Sequence, residues 1–248
     1  MDWPDQKHEQ ARKLTIRIAA DLGAPRFYLN HHRDVERSQR LFDRTPMVSH
    51  CLGIVETYGD CYGHGLLHVR KVAVDAGAII LIEMSHSPPA IDTERLVLLT
   101  HLAGLLHDIK RAEKDHARAS AREAARILTG FALKESECSA ITRAIANHEA
   151  FQTPDALADP LGQLLSDALY DADKFRWGPD NFTETLWAML AARKASLTAV
   201  LPHFPKGMEA LRRIRETFRT PIGREYGPDF IDLGMEIGRR FYEEMTAS

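Results

Sequence analysis

Leu96–Asp108 reads LVLLTHLAGLLHD, an apolar run that ends on a histidine and a carboxylate side by side. Asp92 or Thr93 can cap a helix through Leu106, so the run delivers His107 and Asp108 at a helix C-terminus. Side by side, the two residues can donate an imidazole nitrogen and carboxylate oxygens to one metal ion. Alone, the pair has plainer uses: a histidine there complements the helix dipole, and an aspartate starts a turn.

Working outward, helical spacing dominates. Upstream, DCYGHG (60–65) is a turn-rich break, after which Leu66, Val69, Val72, Ala73, Ala76 and Ile80 share one helix face. Pro88-Pro89 closes that unit. Downstream, Asp115 can cap a helix over 116–129, with Gly130 suited to the left-handed position after it. Ser136 can begin a helix that runs to His148, and 151–160 is loop-like. Leu161, Leu164, Leu165, Ala168, Leu169 and Ala172 then form a stripe ending at Asp173. Gly178-Pro179 breaks it, and Asp180 or Asn181 can start a long helix to about residue 201.

The ends are helical too, over 5–21 and 27–42 and near 207–218 and 229–245. No repeat, low-complexity tract or alternating strand pattern interrupts them. The expected class is all-α, divided as an N-terminal helical cap (1–45), a core (46–200) and C-terminal helices packed on it (201–248). The final stripe of Phe230, Leu233, Ile237, Phe241 and Met245 suits the core or a homodimer contact.

A chain of 248 residues can bury a large core. Its formal charge of −3 and pI near 6.5 predict no general nucleic-acid binding, while leaving room for a local basic pocket. Cys51, Cys61 and Cys138 lack CxxC spacing, so neither a disulfide framework nor a zinc knuckle is expected. No stretch approaches about 18 apolar residues and the N-terminus carries charges from its second residue, so the expectation is a cytoplasmic protein without membrane partners.

His64 and His68 are four apart and can point from one helix face into one cleft, or simply cap a glycine-flanked turn. His148 has the same dipole alternative as His107, and His116 can be a solvated first-turn residue. Asp171 and Asp173 both border the apolar stripe, and periodicity does not choose between them.

The order of these groups resembles the HD-domain superfamily of metal-dependent phosphohydrolases. HGLLHVRKV (64–72) is similar to that family's first-histidine helix and HLAGLLHDI (101–109) to its signature segment. ITRAIANHE (141–149) resembles its later-histidine helix and LYDADKF (169–175) its closing aspartate segment. The resemblance spans roughly residues 60–180 and implies an HD-type helical bundle with extra helices at both ends. It makes His68, His107, Asp108 and Asp173 the core metal ligands, with His148 added and His116 matching only loosely. His68 is preferred to His64 for its place one turn before Val72, and Asp173 to Asp171 for the lysine after it.

The activity implied is hydrolysis of a small phosphate ester, nucleotides included, by a metal-activated water. Asp108 would orient the water, and His64 could bind phosphate or act as general acid. Lys110, Arg111, Lys114, His116, Lys174 and Arg176 are candidates to hold the phosphorylated substrate. Trp177 and Asn181, in FRWGPDNF (175–182), could line the pocket mouth, though packing is the plainer role for the aromatics. Mixed N/O ligation fits manganese, iron, cobalt, nickel, zinc or, less comfortably, magnesium. One ion is expected and a second has partial ligand support. A dinuclear iron oxygenase and a nucleotide- or metal-sensing module without turnover are the alternatives.

Overall fold

The fold comes from a computed structural model, which describes residues 6–59, 65–86, 88 and 91–247. It is all-α, with no strand among those residues. In chain order the helices are α1 (Gln6–Leu22), α2 (Arg26–Asn30), α3 (His32–Arg44), α4 (Pro46–Glu56), α5 (Leu66–Glu83), α6 (Thr93–Leu106) and α7 (His116–Leu128). There follow α8 (Glu135–Ala146), α9 (Pro160–Phe175), a π-helical turn (Asn181–Thr185), α10 (Leu186–Arg193) and α11 (Leu197–Val200). A 3₁₀ turn (Leu201–His203), α12 (Phe204–Ile214) and α13 (Pro221–Thr246) complete the chain. None of these helices is long and apolar enough to cross a membrane.

α5 is buried on every side from Val72 to Leu81 and apolar there except for Asp75, whose carboxylate is paired with Arg176 and Tyr28. It packs against α3, α6 and α9. Each fully buried Val or Ile there contributes about 1.5–3 kcal/mol of transfer free energy. α6 meets the backbone of α5 at Gly104, where a Cβ would lie 2.5 Å from Ala73 Cα. Only glycine permits that contact, and it brings the end of α6 against the start of α5.

Local signals explain most helix starts. Asp92 caps α6 by accepting from Arg95 N at 2.9 Å. Asp159 accepts from Leu161 N and Gly162 N ahead of α9, which has Pro160 in its first turn. Glu137 accepts from Lys134 N at the start of α8 and also pairs with Arg95, tying α8 to α6. A second apolar cluster joins Ala11 and Ile18 of α1 to Phe182, Trp187, Phe204, Ile237 and Phe241. Trp177 packs where this cluster and the central core meet, which is the packing role weighed for it.

Several boundaries depart from expectation. α4 was not anticipated; Thr45-Pro46 starts it, proline being suited to a first helical turn. The 27–42 helix is split at His31. α8 starts one residue before Ser136 and stops at Ala146, so His148 lies past its end rather than on it. Gly130 does not adopt a positive φ; the helix ends instead through turn bonds from Gly130 N and Phe131 N. The long helix expected to about residue 201 breaks at Lys194, which adopts φ +47°, and Ser196 caps a new start. The last helix begins at Pro221, capped by Thr220, and runs through Pro228.

Candidate metal centre

Four elements converge at one end of α5. His68 sits in its first turn, His107 and Asp108 follow α6, His148 follows α8, and Asp173 lies on the last turn of α9. All five are buried, His107 completely. His68 Nε2 and His107 Nε2 face each other at 3.3 Å. Asp173 Oδ1 lies 3.4 Å from the first and 3.7 Å from the second. Asp108 Oδ2 is 3.5 Å from His107 Nε2 and 3.9 Å from His68 Nε2.

The two oxygens of Asp108 look in different directions. Oδ2 faces the His68–His107–Asp173 group, whereas Oδ1 lies 3.4 Å from His148 Nε2 and 3.6 Å from His116 Nε2. His116, the first residue of α7, is therefore brought to the same cluster, though at its outer edge.

Backbone contacts set the tautomers. His107 Nδ1 donates to Gly104 O at 2.8 Å and His148 Nδ1 to Ile145 O at 2.6 Å, so both rings present Nε2 as a lone pair. Metal-binding imidazoles are oriented this way, with the remote N–H held by a carbonyl or carboxylate. His148 Nε2 is buried with no hydrogen-bond partner, which otherwise has a cost of about 1–3 kcal/mol. A nitrogen left bare beside Asp108 Oδ1 calls for positive charge on that side of the cluster. Among the described residues, the triads able to hold a metal ion are His68–His107–Asp173 and His107–Asp108–His148. They share the single lone pair of His107.

Burial works to lower the His107 imidazole, but Asp108, Asp173 and Gly104 O outweigh it and raise it above its ordinary value, favouring a positive charge that a cation on Nε2 would supply instead. Burial pushes the Asp108 carboxyl up, but His107, His148 and Arg111 outweigh it and hold it well below the usual range. Asp173 behaves alike: burial opposes ionisation, and Lys174, His107 and His68 override it. Burial lowers His68, keeping it neutral and able to donate its lone pair. Burial likewise takes His116 down to about 4.

Asp171 is directed elsewhere. Its carboxylate accepts from Arg219 N, Thr220 N and Thr220 Oγ1, each at 2.8 Å, and so fastens α9 to the start of α13. Burial pushes its carboxyl up to about 7, against those donors.

A pocket of about 620 Å³ opens beside Asp108, lined by Tyr58, Leu66, Leu67, Lys110, Arg111 and Glu113 among others. Lys110 and Arg111 thus stand where expected relative to the cluster. Lys174 and Arg176 do not reach the pocket. Lys174 Nζ is buried on Asp173 Oδ2, and Arg176 is held by Asp75, Tyr28 and Asp180 in a buried network. Tyr58 and Leu67 were not anticipated as pocket walls, and Leu66, expected on the apolar face of its helix, is exposed at the pocket instead. His64 lies outside the described residues. Asn181 begins the π-helical turn after Asp180 and is not among the pocket-lining residues.

No family model matches the sequence, and no curated protein matches it. Among solved structures, the chain is similar to the crystal structure of a predicted HD superfamily hydrolase from an uncultured Thermotogales bacterium. The two are 24% identical, with 84% of this chain and 98% of that chain covered, and a TM-score of 0.51. The likeness is one of fold: the two share an all-α architecture.

Proposed function

We propose that the protein is a metal-dependent phosphohydrolase acting on a small phosphate ester. The observation that carries this reading is the convergence of His68, His107, Asp108 and Asp173, with two imidazoles fixed as Nε2 donors, beside a pocket bordered by Lys110 and Arg111. A divalent ion held by these residues would lower the pKa of a water and polarise a phosphoryl oxygen. Buried carboxylates suit a hard or borderline cation, and the imidazoles extend the range to manganese, iron, cobalt, nickel and zinc.

The chain's own residues then have separable tasks. Lys110 and Arg111, which share the pocket with Glu56, Asp108 and Glu113, are the groups placed to offset the charge of the ester's phosphoryl oxygens. Asp108, ionised and bordering the pocket, is placed to accept a hydrogen bond from the attacking water and orient it. Leu66 and Leu67, both exposed at the pocket wall, offer apolar surface to the body of the substrate. Lys174 holds Asp173 in place and stays off the phosphate.

The test is a phosphate-release screen over nucleotides and sugar phosphates with purified protein reloaded with single divalent metals. Release that needs added metal and vanishes in Asp108→Ala is expected. Equal release from Asp108→Ala would overturn the reading.

A further inference from the structure

The outer face of Asp108 is built like a second cation position, yet a side chain already stands there. Asp108 Oδ1 is flanked by His148 Nε2 at 3.4 Å and His116 Nε2 at 3.6 Å, three donors from three segments. Arg111 Nη1 also lies 3.6 Å from Asp108 Oδ1, and only 2.7 Å from His116 Nε2. A guanidinium can only donate, so His116 must carry its proton on Nδ1 and give its Nε2 lone pair to Arg111. His107 cannot supply the missing donor either. Its Nδ1 is committed to Gly104 O, and its Nε2 faces the inner group with His68 and Asp173.

We propose that Arg111 takes the place of a second metal ion: the centre holds a single ion on the His68–His107–Asp173 side, and the guanidinium provides the other positive charge. A second ion would have to displace Arg111 from His116 and accept a fixed cation next to its bridging oxygen. Both demands oppose it. Arg111 lies three residues after Asp108 and lines the pocket, so one planar group bridges the metal ligands and the substrate space. Arginine suits the place better than lysine, because its charge cannot be lost and its fork can meet a nitrogen, a carboxylate and a phosphoryl oxygen together.

This inference rests on the metal-centre reading, and metal content separates the two. Wild type and Arg111→Ala are loaded with Mn²⁺ alone, desalted, and assayed for metal per chain, with electron paramagnetic resonance to tell isolated from coupled ions. Arg111→Gln, close in shape, serves as the second variant, with circular dichroism confirming the fold. Expected are about one uncoupled ion per chain in wild type and about two, spin-coupled, in both variants, returning to one when His116→Ala is added to Arg111→Ala. Two ions in wild type, or one in wild type and both variants, would overturn the role given to Arg111 while leaving the centre standing. No ion on any of them would overturn the centre itself.

Discussion

His101 and His107 sit six residues apart in one apolar segment, both are buried, and they have opposite tasks. His101 points across α6 at α3. Ser38 Oγ donates to Val74 O, so it accepts from His101 Nε2 at 3.0 Å. Gly77 of α5 leaves room for the pair, since a Cβ there would lie 2.4 Å from both His101 Nε2 and Ser38 Oγ. Every feature around His101 satisfies its polar atoms inside the core. Around His107 the satisfied nitrogen is the remote one, and the other faces Asp108, Asp173 and His68. The difference is which nitrogen the backbone and neighbours leave open.

The sharpest way to break this comparison is to remove each ring. His107→Ala should abolish metal uptake and metal-dependent turnover, and because the buried ring also donates to Gly104 O it should lower the metal-free stability as well. His101→Ala should destabilise the fold by about 2–4 kcal/mol through a cavity and an unpaired Ser38, yet keep its metal. Denaturation curves beside metal content decide it. Metal lost in His101→Ala and retained in His107→Ala would reverse the assignment.

Asp171 and Asp173 repeat the lesson on α9. Asp173→Asn should empty the centre. Asp171→Asn should leave metal content intact and cost about 1–3 kcal/mol, since an amide cannot accept all three hydrogen bonds from Arg219 and Thr220. Equal loss of metal in both variants would mean that α9 moves as a unit and that the two carboxylates are not separable.

How much of this was legible in the sequence follows from the same residues. The helical class could be read because a helix imposes a period, and the His/Asp cluster could be anticipated because His68, His107, Asp108 and Asp173 each lie at or near a helix end. The choice between the two aspartates could not come from periodicity, since both border the stripe; it depends on α13 returning to α9 about fifty residues later. Arg176 was equally opaque. It follows the closing aspartate like a phosphate ligand, but Asp75 lies on another helix, and only packing shows that the guanidinium turns inward. α4 escaped although Met47, Val48, Cys51, Leu52, Ile54 and Val55 are apolar, because its start depends on Thr45-Pro46 rather than on a side-chain cap.

A more graded test concerns the glycine that lets the two histidine environments share one segment. Gly104→Ala drives a methyl group into Ala73, so α5 and α6 must part by a few tenths of an ångström or more. Overpacking of this kind has a cost of about 1–3 kcal/mol. Because His107 follows by one turn and His68 precedes Ala73 by a little more than one, the same strain should weaken metal binding by about 10–100-fold, the range seen when support of a ligand is lost. The Ser38–His101 pair lies in the same seam, where Gly77 of α5 meets His101, and should loosen with it. Titration calorimetry with Mn²⁺ reads the first effect. Unchanged affinity would show that the ligands adjust independently of the helix spacing.

The smallest effect isolates His101 alone. Burial takes its pKa down to about 3, so at neutral pH it is uncharged in both folded and unfolded chains. As the pH falls below the ordinary value near 6.5, the unfolded chain takes up a proton that the folded chain refuses until about 3. The stability belonging to this group is therefore complete above the unfolded pKa and declines as the pH drops through that window, at about 1.4 kcal/mol for each unit. A His101→Gln variant lacks this linkage. It should start less stable than wild type at pH 7, and the gap between the two should narrow steadily toward pH 4.5 in urea denaturation of the metal-free proteins. A gap that stays constant, or widens, would mean that His101 is protonated in the folded state, and the contrast with His107 would then need a different physical basis.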